Sequence, residues 1–369
     1  MVSLYASLVK RIMKNVFIFG AGASRQSGAP LMADFLDSAD RLLRARTPGV
    51  IQAEDSFRDV YNARGELGRI YEKSYLDITN IEGLFGVVEM AQLLKRFASR
   101  DAEGITKLRQ SLATLIVKTL ECSIQFPVSG GSVRPPKPFD DFVGLIKNIQ
   151  IDKKGSDYSW CSFITFNYDV NLDFALYWQL LPFEYFIQDT PATNSFPLLK
   201  LHGSINWGVC SQCNQIIPYH VKDASHHLWP ETRNVFFDLG SKLSSRQHCN
   251  EPLLSTPVII PPTWDKSAYQ SQIAHVWQQA SKELQRAENI FIIGYSLPET
   301  DMFFRYMFAL GLEGPTIVQR IWVVNPDQSI EERFREFIGR GIESRLRFIY
   351  APFNDLVSRT EFKSVLEEP

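Results

Sequence analysis

Residues 15–19, NVFIF, form a short apolar run that passes directly into Gly20-Ala21-Gly22-Ala23-Ser24. A run this short and this apolar reads as a strand buried on both faces of a parallel sheet. The pattern of an apolar stretch broken by small or polar residues returns along the chain. It appears at residues 160–166 before Asn167-Tyr168-Asp169, at 198–201 before His202-Gly203, and at 258–260 before Pro261-Pro262. It appears again at 289–293 before Gly294-Tyr295-Ser296, at 321–324 before Asn325-Pro326-Asp327, and at 347–350. Between these runs the period changes to that of helices. Residues 34–46 read as helix, and three-to-four spacing continues through Ile81, Leu84, Phe85, Val88, Leu93 and Leu94, then Leu108, Leu112, Leu115, Ile116 and Leu120. Leu4, Leu8 and Ile12 stripe an amphipathic helix over residues 1–14, and further helices are expected after Asp169, from Asp301 and from Ser329.

Strands alternating with helices predict an α/β fold, a Rossmann-like doubly wound parallel sheet that binds ligands at the carboxyl ends of its strands. The expected organisation is an N-terminal helix (1–14), a Rossmann domain split between 15–33 and 151–360, and a helical insertion over 34–150. The loop-like 127–138 closes the insertion, and a small Cys- and His-containing module occupies 204–256 within the second half of the Rossmann domain. In such a sheet the residues just after each strand share one crevice. They are Gly20 to Ser24, Asn167 and Asp169, His202 and Gly203, Gly294 and Ser296, and Asn325 and Asp327.

Glycines after a first strand allow backbone N–H groups to approach a pyrophosphate, although Arg25 stands where the third glycine of the dinucleotide fingerprint would fall. Each residue also has a plainer reading: Asn167 as a cap for the following helix, Ser296 and Asp301 as turn and cap residues, and Asn325-Pro326-Asp327 as a turn. Composition narrows the class. The 369 residues are 45% hydrophobic and 22% charged with a formal charge of −2, which excludes a globally basic nucleic-acid binder. No apolar run reaches the ~20 residues of a membrane span, and the first residues lack a signal-peptide pattern, so a cytoplasmic protein with no membrane or nucleic-acid partner is expected. Five cysteines, with Cys122 and Cys161 isolated, do not form a secreted disulfide framework. Cys210 and Cys213 have zinc-ligand spacing and Cys249 follows. His248, His220, His226 or His227 would complete a structural Cys3His site, and the alternative is a metal-free loop.

In combination these segments resemble the sirtuin family. The likeness rests on Gly20-Ala21-Gly22-Ala23-Ser24, Ser27-Gly28-Ala29-Pro30, Asn167-Tyr168-Asp169, His202-Gly203, Gly294-Tyr295-Ser296 and Asn325. The resemblance implies NAD+ as a consumed substrate, with nicotinamide released from its ribose. It assigns catalysis to Asn167 and His202, and dinucleotide contacts to Gly20, Ala21, Gly22, Ser24, Asp169, Gly294, Ser296 and Asn325. It also implies a zinc-ribbon-like module with Cys210, Cys213 and Cys249 as metal ligands. Three departures separate the chain from deacetylating sirtuins: Leu31-Met32-Ala33 where they carry Asp-Phe-Arg, tandem prolines after residue 260, and the long insertion. These departures resemble the bacterial sirtuin-like NAD+ hydrolases of antiphage defence. That likeness implies an oligomer restrained until triggered, by its own assembly or by a partner such as a ring-forming DNA-translocase ATPase. The alternatives are a protein deacylase or ADP-ribosyltransferase, and a non-catalytic module that senses NAD+ or ADP-ribose.

Overall fold

The structure is a computed structural model that describes residues 13–71, 76–188, 194–221, 225–228, 235–260, 267–299 and 301–367. The predicted helix at 1–14 and the pair Pro261-Pro262 lie essentially outside these residues.

Seven strands form one parallel sheet: β1 (Asn15–Phe19), β2 (Cys161–Thr165), β3 (Phe183–Glu184), β4 (Phe196–Lys200), β5 (Asn289–Ile293), β6 (Arg320–Val324) and β7 (Leu346–Ile349). Their order is β7-β6-β5-β1-β2-β4-β3. β1 sits at the middle, with Asn15 level with Cys161 of β2 on one side and with Asn289 of β5 on the other. The chain therefore builds outward in one direction through β2 and β4, then crosses β1 and builds in the other. That is the order of a doubly wound dinucleotide-type sheet, and the reversal at β1 opens its crevice.

β1 is buried along its whole length and is apolar from Val16 onward, because both its faces are covered. Phe17 stacks on Phe291 of β5 at 4.9 Å and meets Phe142 edge-on at 5.0 Å, from the helix Lys137–Ile149. Phe19 meets Phe353 of the helix Phe353–Ser358 at 5.6 Å.

A second core lies away from the sheet. The helices Phe35–Arg44, Glu54–Tyr71, Ile81–Leu94 and Ala102–Ser123 bury Leu84, Leu112 and Leu120 together with Phe237, Leu239 and Leu243 of the Cys-containing module. Insertion and module thus share one hydrophobic interior. Glu121 ties them: its buried carboxylate accepts from the backbone N–H of Leu239 at 2.8 Å and of Ser241 at 3.2 Å. The helix Lys137–Ile149, at the end of the 34–150 segment, packs in the sheet's core.

Two strand expectations change. Residues 258–260 do not join the sheet, because Val258–Ile259 pairs antiparallel with Gly203–Ser204 in a separate two-stranded ribbon. Gly203 permits it at φ +81°, where a Cβ would lie 2.1 Å from the Val258 carbonyl oxygen. The edge strand Phe183–Glu184 carries no apolar run and escapes a periodicity reading. Among the described residues no helix is long and apolar enough to cross a membrane.

Candidate active site at the strand ends

The crevice floor is a crossing of two chain reversals. A Cβ on Gly22 would lie 2.8 Å from the Gly294 carbonyl oxygen, and one on Gly294, at φ +63°, would lie 2.1 Å from the nitrogen of Ala23. These glycines exist so that the exits of β1 and β5 can touch. The Gly22 N–H donates to the Gly294 carbonyl at 2.8 Å, so this amide is spent inside the protein. After the short helix Ala21–Ser24 and the turn Arg25–Ser27, Gly28 closes the reversal at φ +97°. Arg25, at the place of the missing glycine, pairs with Asp34.

One wall of the crevice is polar. Asn167 donates through Nδ2 to the Gly20 carbonyl and to Ser24 Oγ, each at 3.0 Å. The expected alternative of a helix cap does not hold, since the helix Asn171–Trp178 begins after Val170 and Asp169 accepts from the Asn171 N–H at 3.0 Å. Beneath lies a buried network. Ser24 hydrogen-bonds Asp169, and Asn171 donates to Ser27 Oγ at 2.9 Å, while Ser27 donates to the Ser24 carbonyl at 2.8 Å. Asn171 Oδ1 is buried without a hydrogen-bond partner. Burial pushes the Asp169 carboxyl above its usual range, and the Lys200 ammonium works against that rise. Lys200 is fully buried; its Nζ donates to the Asp169 carbonyl at 2.5 Å and to Asp173 Oδ2 at 3.1 Å. Asp173 also accepts from Tyr185 Oη at 2.5 Å, whose hydroxyl accepts from Asn206 at 3.1 Å.

The other wall is aromatic. His202, buried at the end of β4, lies edge-on to Phe166 at 5.1 Å and 6.3 Å from the Tyr168 ring. Phe166 stacks on Tyr295 at 4.3 Å. The Tyr295 hydroxyl donates to Asp301 Oδ2 at 2.7 Å, and that oxygen stands 3.7 Å from His202 Nε2.

Gly20, Ser24, Asn167, Asp169, His202 and Gly294 are thus joined by a continuous chain of contacts, with Ala21 and Gly22 in the same turn. Ser296 and Asn325 stand at the strand ends in different roles. Ser296 is exposed and its carbonyl accepts from Arg333 at 2.8 Å. Asn325 Oδ1 accepts from the Asp327 N–H at 3.0 Å, closing a local turn. Lys200, Asp173, Tyr185 and the contact of Asp301 with His202 escape sequence reading. The one signal present is a lysine inside the otherwise apolar LLKL.

The module gathers Cys210, Cys213, His248 and Cys249, whose ligand atoms all lie within 4.8 Å of one another. The backbone N–H groups of Cys213 and Gln212, with His248, draw the Cys210 thiol down to about 6 against the effect of burial. Three thiols and an imidazole so placed fit the tetrahedral donor set of structural zinc, and His248 is the fourth ligand that fits. Cys122 and Cys161 are buried elsewhere, and burial raises both thiols.

Strand order, central β1 and the glycine crossing define a Rossmann-like α/β protein. A scan against protein families finds no match, and a search of curated proteins finds none. Among solved structures the chain is similar to two Sir2 homologue mutants in complex with ADP-ribose. The identities are 14% and 15% and the TM-scores 0.39 and 0.40, with 99% of this chain and 97% of each of those covered. It is also similar to Sir2Tm bound to a propionylated peptide, at 11% identity and TM-score 0.38, covering 98% of both chains.

Proposed function

We propose that the chain is an NAD+ hydrolase that breaks the nicotinamide–ribose bond and yields nicotinamide and ADP-ribose. The observation that carries this reading is the linkage of the two walls. Asn167 is tied to the first glycine and Ser24, and the residue before it, Phe166, touches His202. An amide in a fixed orientation and an imidazole beside it suit a reaction whose leaving group needs little help. The glycosidic C–N bond breaks with its electron pair going to the nicotinamide nitrogen, which departs neutral. Water then adds its oxygen to the ribose carbon, and its proton passes to His202 and on to solvent. Asn167 holds the ribose or the water, and the Gly20–Ser24 turn receives the pyrophosphate. Cys210, Cys213, His248 and Cys249 would hold a structural zinc ion that stabilises the module and takes no part in the reaction.

In this reading the chain is a cytoplasmic antiphage effector that depletes NAD+, held in check by self-assembly or by a partner ATPase. The sirtuin-like order of motifs and the departures from deacetylases support it. Incubation of the purified chain with NAD+ alone tests the chemistry. Nicotinamide should appear without any peptide, and His202→Ala and Asn167→Ala should each slow its release by about 10²–10⁴-fold with the fold retained. Silence with NAD+ alone together with turnover upon adding an acyl-lysine peptide would assign a deacylase instead.

A further inference from the structure

We infer that Asp301 is a positioning residue for His202: its carboxylate holds the imidazole against the Phe166–Tyr295 stack and supplies the counter-charge for the imidazolium. The inference rests on the hydrolase reading above for its role in turnover, but not for the contact itself. Asp301 stands at the N-cap position of the helix Met302–Gly311, where an aspartate usually caps, yet its side chain makes no cap hydrogen bond. The carboxylate is fully buried and turns inward, where Oδ2 accepts from the Tyr295 hydroxyl at 2.7 Å and faces His202 Nε2 at 3.7 Å. Contacts of this kind are long in ligand-free sites and tighten in the complex.

Burying a carboxylate is costly unless a partner compensates it, and a histidine that charges during turnover is such a partner. Among the described residues, the other titratable and charged groups that bear on this pocket include Tyr168, Tyr295, Glu82 and Arg305. Burial pushes both tyrosine hydroxyls far above their usual value, so they stay neutral. Glu82, at the start of the insertion helix Ile81–Leu94, adds negative charge that bears on both tyrosines, and Arg305 opposes it at Tyr295. Asp301 is the acidic group whose carboxylate oxygen stands beside the imidazole, 3.7 Å from Nε2.

The test is the titration of the His202 ring by NMR in the intact protein, with the signal assigned by its loss in His202→Gln. A neighbouring carboxylate favours the charged imidazole, so Asp301→Asn should lower the ring pKa by about one unit, a tenfold loss of proton affinity. Asp301→Glu should restore part of it. Nicotinamide release should shift in the same sense, with its acid limb moving to lower pH and kcat falling about tenfold or more while KM for NAD+ holds. An unchanged ring titration in folded Asp301→Asn overturns the inference. If that variant does not fold, Tyr295→Phe, which removes the O–H dipole that competes for the same Oδ2, must raise the ring pKa in smaller measure, and no shift there overturns it equally. Wild-type protein that releases no nicotinamide, yet shows the titration shift, would sink the hydrolase reading and leave the Asp301–His202 coupling standing.

Discussion

The two walls of the crevice are built on opposite principles. Around Asn167 nearly every polar atom is engaged: Gly20, Ser24, Asp169, Asn171, Ser27 and Lys200 hold one another in a buried lattice. Around His202 the described surroundings are the rings of Phe166 and Tyr168, with Tyr295 stacked behind Phe166, and an acidic contact at Asp301. The first arrangement fixes the direction of a group that never titrates. The second leaves a titratable group in a low-dielectric box where one charge has great leverage. On the proposed hydrolase reading an amide must be aimed and an imidazole must be tuned, and each wall suits one of these tasks.

Breaking the floor beneath both walls should have the largest effect. Gly294→Val places a side chain 2.1 Å from the Ala23 nitrogen at a φ of +63°, so the exits of β1 and β5 cannot both keep their places. Little folded protein should be recovered, as read by circular dichroism and urea unfolding.

Lys200→Met strikes the polar wall alone. It leaves Asp173 and the Asp169 region buried without their cation, at a cost of about 3–5 kcal/mol measured by chemical denaturation at pH 7. The sign of its pH dependence is fixed. A carboxyl whose folded-state pKa is raised contributes stability that is complete below its unfolded value and is lost as pH rises through the folded one. Asp169 is already raised by burial in the presence of Lys200, so the variant's deficit should shrink as pH falls from 7 toward the unfolded carboxylate range near 4. A deficit that grows on acidification would contradict the charge account.

Cys249→Ser lies outside both walls. The purified wild type should carry one zinc per chain by elemental analysis, and the variant should lose it and melt several degrees lower. Tyr295→Phe touches only the aromatic wall and is expected to be the mildest change. Removing the hydroxyl that donates to Asp301 should cost about 1–2 kcal/mol in unfolding experiments.

The two walls also differ in how far they could be read in advance. Val16–Phe19, Cys161–Thr165 and Asn289–Ile293 announce themselves because strands covered on both faces are mostly apolar, and the small or polar residues after them mark where the chain turns. Order along the chain therefore determined the α/β class, the strand ends and the candidates Asn167 and His202. It also placed Ser296 and Asn325 at strand ends, without showing that Asn325 closes its own turn or that Ser296 offers its carbonyl to Arg333.

What tertiary structure alone decided is partnership across distance. Lys200 meets Asp173 from 27 positions away, and Asp301 reaches His202 only because β4 and the helix Met302–Gly311 converge on one crevice. His248 comes within reach of Cys210, Cys213 and Cys249 because the module folds its two cysteine-bearing turns together. Local pattern records which residues must be buried or must turn, since those demands act on each segment separately. Which polar groups compensate one another depends on where segments distant in sequence come to rest, and no local pattern carries that.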